Sequence, residues 1–303
     1  MGQGAWVPGP FTTAQAAAAG LSEAALRTRA VRREHHGVYV DARLEPGLAL
    51  SVAAARLVLP ADAVLDGVSA LHALGVDVGD PRPLRFASTH RHQVRRPGIR
   101  VRRVRSLPPV DAHGSCVTAE AAFVDAAREL DLVDAVAAGD RLVRLSRTSP
   151  ARLGEAAATS QGRGAARARR AAALVRDRAD SVPETRLRLC LVLAGLPEPQ
   201  VNPVVFSGGR RVGRVDLFLA RWRIAIEYEG DQHRTDPRQW NVDIRRQEQL
   251  TADGCPVVRV TAQRMAHPRA VVHLVVAALR GAGWQGPDPV FDEEWHRFFP
   301  SAR

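Results

Sequence analysis

The chain has 303 residues, 46% of them apolar and 25% charged, with a net charge of +11 and a pI of about 11.1. Two or three small domains with packed cores fit that length, and so basic a balance points to an anionic partner, most often nucleic acid. Three scattered cysteines without a CxxC pair exclude a disulfide framework and a thiolate zinc site. The longest apolar runs, such as "AVVHLVVAAL" at 270–279, are too short to span a bilayer.

The N-terminus lacks a charged start followed by an apolar signal core, so a soluble cytoplasmic chain with no membrane contact is expected. Every basic side chain is arginine, so phosphate contacts would be made by forked guanidinium groups. Along residues 11–41, Thr12 or Thr13 is placed to cap a short helix through Ala19, and Gly20 permits a tight turn. Ser22 is placed to cap a second helix, with Ala25, Leu26 and Ala30 as its apolar positions and Arg27, Arg29, Arg32 and Arg33 outward or flanking. Gly37 breaks that helix and "VYV" follows as a strand. Helix, turn, basic helix, strand is the outline of a winged helix-turn-helix over 1–48, with those four arginines as nucleic-acid contacts. A small helical pair with a solvated arginine face has the same pattern.

Residues 49–145 read as a basic α/β middle domain. Helical periodicity covers 50–58, 66–74, 118–129 and 131–145, and strands fit "LRFAS" and "GIRVRRVRS". From Pro81 to Val110 there are nine arginines and no acid. They suit either a solvated edge strand or a footprint for phosphates. His72, alone on an apolar helix, reads as structural. Residues 146–182 are rich in Ala, Arg, Ser and Gly, and read as a linker that becomes a connecting helix at about 163–178.

Residues 183–281 give the order α, β, β, β, α, β, α, a small mixed sheet flanked by helices. Its helices are expected from Pro183, at 237–252 and at 262–280. Strands fit "QVNPVVF", "VGRVDLFLA", "RIAIEYE" and "PVVRVT". The fold class overall is α/β in content, α+β in arrangement. Residues 282–303 form an aromatic and acidic tail that folds back on the body.

The strand "IAIEYEGDQHR" puts Ile224, Ile226 and Tyr228 on one face and Ala225, Glu227 and Glu229 on the other. With the turn centred between Arg221 and Trp222, Asp216 faces Glu227 across the hairpin, Cβ atoms roughly 4.5–5.5 Å apart. Glu184, in the first turn of the preceding helix, approaches from outside the sheet. Such an oxygen-only set (Asp216, Glu227, Glu184) suits Mg²⁺ or Mn²⁺. A solvent-facing sheet whose acids pair with arginines is the competing reading, and a bulge would break the register.

The segment "VDLFLARWRIAIEYEGDQHR…DIRRQEQLTADGCPVVRVT" resembles the restriction-endonuclease-like PD-(D/E)XK superfamily, and within it relatives of the very-short-patch-repair endonuclease. The likeness rests on Val215-Asp216, on Ile226-Glu227-Tyr228-Glu229-Gly230, on His233, Asp243, Arg246, Leu250, Gly254 and Arg259, and on Pro183-Glu184-Thr185. It implies metal-dependent hydrolysis of DNA phosphodiesters, with Asp216 and Glu227 holding the ion and Glu184 helping. Glu229 stands where that motif places a lysine that positions the attacking water. Gln232, His233 or Arg246 would have to substitute, and His233 is the candidate general base, or else a structural histidine. The front, "FTTAQAAAAGLS…R.HHGVYVD", "GVSALHALG" and "VTAEAAFVDAAREL…AVAAGDRLVR", resembles actinobacterial proteins with an AbiEi-type antitoxin winged-helix domain. That implies DNA binding as a repressor and a nucleotidyltransferase toxin as partner. The expected function is a DNA-binding protein with a metal-dependent endonuclease domain. The rival is an antitoxin-like repressor with an inactive nuclease fold, and RNA remains open as the nucleic acid. Oligomeric state is not legible.

Overall fold

The computed structural model describes residues 9–207, 210–230, 250, 252 and 254–301. It is a mixed α+β fold in two compact units, one holding Met1–Leu130 and Ala151–Arg169, the other Asp131–Pro150 and Arg170–Arg303. No described helix is long and apolar enough to cross a membrane.

The first unit opens with β1 (Phe11–Thr12), α1 (Thr13–Ala18), a 3-10 turn (Ala25–Arg27), β2 (Val31–His35) and β3 (Val38–Asp41). These strands form a sheet in the order β1-β3-β2. Thr12 and Gln15 make a reciprocal capping box on α1. Phe11, Ala16 and Leu26 form the small core.

The basic second helix expected after Ser22 is here one 3-10 turn followed by a strand. Leu26 is the only fully buried side chain between residues 21 and 34, so there is no apolar stripe at helical spacing to dock. Val31 to His35 instead satisfies its backbone by pairing with β3, and Gly37 (φ 76°) turns the hairpin between His35 and Val38 rather than ending a helix.

Next come α2 (Leu48–Arg56), β4 (Val64–Leu65), α3 (Gly67–Ala73), β5 (Leu84–Ser88), β6 (Arg95–Arg96), β7 (Ile99–Arg103) and α4 (Ala119–Ala126). The sheet runs β4-β5-β7-β6, with β5 and β7 parallel. His72 closes α3 by a 2.9 Å hydrogen bond between its Nε2 and the Gly79 carbonyl, which is a structural role. Asp66 caps α3 and shares the Arg102 guanidinium, at 2.5 Å and 3.0 Å, with Asp125 on α4.

The helices α5 (Leu132–Arg144), α6 (Pro150–Thr159) and α7 (Ala165–Leu174) follow. The helix α6 occupies part of the stretch read as a loop. The second unit then adds α8 (Val182–Leu193), β8 (Gln200–Val201), β9 (Val204–Ser207), β10 (Arg210–Arg214), β11 (Leu217–Leu219), a 3-10 turn (Ala220–Trp222) and β12 (Ile224–Glu229). It closes with β13 (Val257–Thr261), α9 (Ala262–Met265), α10 (Pro268–Gly281) and α11 (Glu293–Phe298). Its sheet has the order β13-β12-β11-β8, with β12 and β13 parallel and the other pairs antiparallel, and β9–β10 is a separate ribbon. Two strands expected to be continuous are each broken, at Asn202-Pro203 and at Val215-Asp216. The single closing helix is split at His267-Pro268, because proline cannot donate within a helix. The helix expected at 237–252 lies almost wholly outside the described residues, although Leu250 is buried with Ala225, Val215 and Cys255. In the tail, Trp295 is buried and its indole N–H donates to the Cys190 carbonyl at 3.0 Å.

Burial, with the Asp66 charge beside it, pushes the Asp125 carboxyl up to about 6. A carboxyl raised in the folded state keeps a proton that the unfolded chain releases at a lower pH. Its contribution to stability is therefore lost as pH rises from about 4 through about 6. Asp125→Asn removes this loss. Urea denaturation at about pH 4.5 and about pH 7 should show a stability difference smaller by about 1–3 kcal/mol in the variant than in the parent. An unchanged difference would refute the assignment.

Candidate active site

The acidic hairpin is built from β11 and β12. Leu217, Phe218 and Leu219 pair with Ile226, Ala225 and Ile224. Asp216 is in the bend just before β11, where continuing this register points it towards Glu227. The turn that fixes the register is the 3-10 turn Ala220–Trp222, closed by Arg223 in the left-handed region (φ 53°). The Asp216 carboxylate reaches across the hairpin, where Oδ2 accepts the Tyr228 N–H at 2.7 Å. Glu227 is 6% exposed. Asp216 and Glu227 are therefore brought together as cross-strand neighbours.

Glu184 is engaged at the start of α8. Ser181 caps α8, accepting the Glu184 N–H, and Glu184 returns a carboxylate oxygen to the Ser181 hydroxyl at 2.8 Å. Its other oxygen accepts the Asp180 N–H at 3.1 Å and the Asn202 side-chain amide at 2.7 Å. The sequence "SVPE" has the Ser-x-x-Glu spacing of a capping box, but here Glu184 takes the Ser181 hydroxyl and the Asp180 N–H. Among the described residues no three His, Cys, Asp or Glu side chains are grouped to hold a metal ion. The trio Asp216, Glu227 and Glu184 is thus not assembled, because helix capping and Asn202 engage both oxygens of Glu184.

Asn202 links the two regions, and sequence reasoning missed it. Its backbone N–H donates to the Asp216 carbonyl at 2.7 Å, and its side-chain amide donates to Glu184 and to the Arg178 carbonyl. Asn202 is 5% exposed and sits at φ 47°, a conformation asparagine tolerates better than most residues. The sequence signal was the Asn-Pro pair inside an apolar run, which marks a break.

The parallel neighbour β13 brings the second missed residue. Glu227 pairs in register with Arg259, and Arg259 Nε lies 2.8 Å from Glu229 Oε1. A guanidinium therefore stands beside the acidic pair, and Glu229, in the motif's lysine position, holds it. His233 lies outside the described residues, as do Gln232, Asp243 and Arg246. Tyr228 alternates with the acids and lines a cleft of about 390 Å³ with Pro183, Arg186, Met265 and Phe298. That cleft belongs to the opposite face of the strand.

The four arginines singled out near the N-terminus fare unequally. Arg27 is exposed and 3.7 Å from Glu23, and Arg29 and Arg33 are exposed. Arg32 is committed to the fold, donating to the Leu44 carbonyl at 3.1 Å and lying 3.5 Å from Glu34.

The arrangement offers hard oxygen donors next to a fixed cation. Asp216 and Glu227 suit an ion that keeps several waters and takes one or two carboxylates. Two uncharacterized proteins of Mycobacterium tuberculosis, Rv2248 and MT2308, are each 30% identical to this chain over 138 residues, which is 45% of this chain and 51% of theirs. The chain spans about half the length of these curated relatives. No family model matches the chain, and no solved structure matches it.

Asn202→Ala should cost about 2–3 kcal/mol, because it strips a hydrogen bond from a carboxylate and places alanine at positive φ. Asn202→Gly should recover part of that loss, the part due to backbone strain. Chemical denaturation of the three proteins measures both numbers, and equal losses for alanine and glycine would remove strain from the account.

Proposed function

We propose that this chain acts on DNA in the cytoplasm and that its second unit hydrolyses phosphodiesters with a bound Mg²⁺ or Mn²⁺. The observation that carries the proposal is the cross-strand pair Asp216 and Glu227 with Arg259 beside it in the parallel register. The resemblance to the PD-(D/E)XK nucleases supports the same reading, as does the net charge of +11. Asp216 and Glu227 would hold the ion, which supplies an activated water and neutralises charge on the phosphate. Tyr228 N–H keeps one Asp216 oxygen fixed, so the pair pays little reorganisation when phosphate arrives.

Arg259 takes the role that the absent lysine leaves open, as far as charge goes. A guanidinium stays protonated and cannot serve as a base, but its fixed donors can stabilise developing negative charge on a phosphoryl oxygen. Glu229 acts as its positioning partner.

A second reading keeps the fold and drops the chemistry. In it the chain is an antitoxin-like repressor that binds DNA and pairs with a nucleotidyltransferase toxin. Two observations favour it: Glu184 is spent on capping, and a carboxylate rather than a lysine occupies position 229.

The test is incubation of the purified chain with supercoiled plasmid, mismatched duplexes and structured RNA, with Mg²⁺, Mn²⁺ or a chelator. The hydrolase reading expects metal-dependent cleavage of DNA that falls about 100-fold or more in Asp216→Asn and in Glu227→Gln. Arg259→Gln should lose about 10- to 100-fold, with Arg259→Lys partly restoring the rate. If the parent shifts DNA and cleaves neither nucleic acid, the repressor reading stands. Cleavage of RNA alone would keep the chemistry and change the substrate.

A further inference from the structure

Of the nine arginines between Pro81 and Val110, four are committed within the first unit. Arg85 and Arg100 flank Glu129, at 2.5 Å and 3.5 Å. Arg102 lies between Asp66 and Asp125, and Arg82 donates to the Ser51 hydroxyl at 2.8 Å. The others, Arg91, Arg95, Arg96, Arg103 and Arg105, have no acidic partner among the described residues. All but the half-buried Arg96 are exposed. They gather around the β6–β7 hairpin and the loop before it. In that hairpin Arg95 faces Arg100 and Arg96 faces Ile99, across a Pro97-Gly98 turn with Gly98 at φ 76°.

Edge protection does not account for this. The edge strand β6 is two residues long, too short to template another chain, and one or two charges would suffice. Unpartnered like charges on neighbouring positions repel, so the cluster costs stability when nothing faces it. The same sheet neutralises its inner arginines with Glu129, Asp66 and Asp125, yet among the described residues no acid pairs with the arginines at the hairpin tip.

The loop that carries Arg91 is also held in place. Asp62 accepts the Ser88 hydroxyl and both the N–H and hydroxyl of Thr89, each at 2.7 Å. Those hydrogen bonds, Thr89's first and then Ser88's, hold the Asp62 carboxyl below the usual carboxylate range. The His90 N–H donates to the Ser88 hydroxyl oxygen at 3.0 Å, and Arg103 donates to the Arg91 carbonyl at 3.3 Å. The His90 and His92 rings meet edge-on at 5.7 Å. This loop is thus pinned at its base and across the end of β7.

We infer that the β6–β7 hairpin and the 89–92 loop form the duplex-binding surface of the chain, gripping the phosphates of double-stranded nucleic acid through Arg91, Arg95, Arg103 and Arg105. The inference rests on the nucleic-acid part of the proposed function and is independent of its hydrolytic part. Guanidinium forks match phosphate oxygens two at a time, and a two-stranded ribbon has the width of a major groove. Single strands are recognised by stacking on aromatic rings, and the only Phe, Tyr or Trp between residues 81 and 110 is the buried Phe86. The same absence leaves no aromatic anchor for a bilayer interface.

The experiment measures binding in chelator, so that hydrolysis plays no part. Fluorescence anisotropy follows a labelled duplex of about 30 base pairs, a matching single strand, and vesicles containing phosphatidylserine, from about 50 to about 250 mM salt. One variant carries Arg91→Ala, Arg95→Ala, Arg103→Ala and Arg105→Ala. A comparator carries Arg27→Ala, Arg29→Ala and Arg33→Ala. All seven substituted arginines are exposed, and circular dichroism checks that both variants fold. The hairpin variant should lose about 10-fold or more in duplex affinity, and its log–log salt slope should fall by about 3.6, near 0.9 for each of four lost phosphate contacts. The comparator should lose less than the hairpin variant. The inference is overturned if the comparator carries the larger loss, or if the parent prefers the single strand or the vesicles to the duplex. Cleavage assays can then fail or succeed without altering this result.

Discussion

The second unit depends on a paired interruption of two neighbouring strands. Asn202-Pro203 ends β8, and Val215-Asp216 separates β10 from β11 at the same height. Asn202 N–H donates to the Asp216 carbonyl, and Val215 N–H to the Pro203 carbonyl. These two bonds close the fork between the main sheet and the β9–β10 ribbon. The Asp216 side chain turns to the backbone of β12. The side-chain amide of the same asparagine holds Glu184 and the start of α8. One residue in a left-handed conformation thereby fixes the position of an acid, the neighbouring strand and the first turn of a helix. A buried amide with these partners is costly to replace, because each donor lost leaves an acceptor unsatisfied.

Charge is distributed by the same logic of satisfaction. Arg188 has no exposed surface, and it lies 3.1 Å from Asp140 and 3.2 Å from Glu198, with a further bond to the Leu174 carbonyl. Asp140 also accepts the Thr185 hydroxyl and the Arg176 N–H. Burial raises the Asp140 carboxyl despite the Arg188 charge beside it. Such a network gives little net stability relative to an apolar core, but losing one member leaves a buried charge exposed to low dielectric. The exposed bridges, such as Arg27–Glu23, contribute close to nothing. Around the β6–β7 hairpin, five arginines have no acidic partner among the described residues.

Period-two patterns were legible wherever one face was buried. Ile224 to Glu229, Leu84 to Ser88 and Val257 to Thr261 are strands as read, since a one-residue slip would invert every side chain. The β11–β12 register was legible too, because it follows from the turn position. Helices with a cap and an apolar stripe, such as Leu132–Arg144 behind Asp131, were equally plain. The basic helix after Ser22 failed because composition allowed it while no buried face required it. Glu184 was read as a ligand because the Ser-x-x-Glu cap spacing and the metal motif place a glutamate at the same helical position. Asn202 and Arg259 were illegible as site residues, since their roles arise from neighbours distant in sequence. The expectations at His233 and Arg246 fall on residues the structure does not describe.

The placement of Arg259 bears on what a carboxylate at position 229 means for the proposed chemistry. An acid-x-lysine strand puts both signs on one face of one strand. Here β12 carries acid twice, and the parallel register brings the opposite sign in from β13. Glu229 lies 2.8 Å from the Arg259 guanidinium and holds it in the register position beside Glu227. Replacing a flexible, titratable amine by a rigid guanidinium removes a proton carrier from the site and retains an electrostatic one. Catalysis by this chain would then rest on positioning and charge stabilisation, with proton transfer left to water or to a residue beyond Gly230.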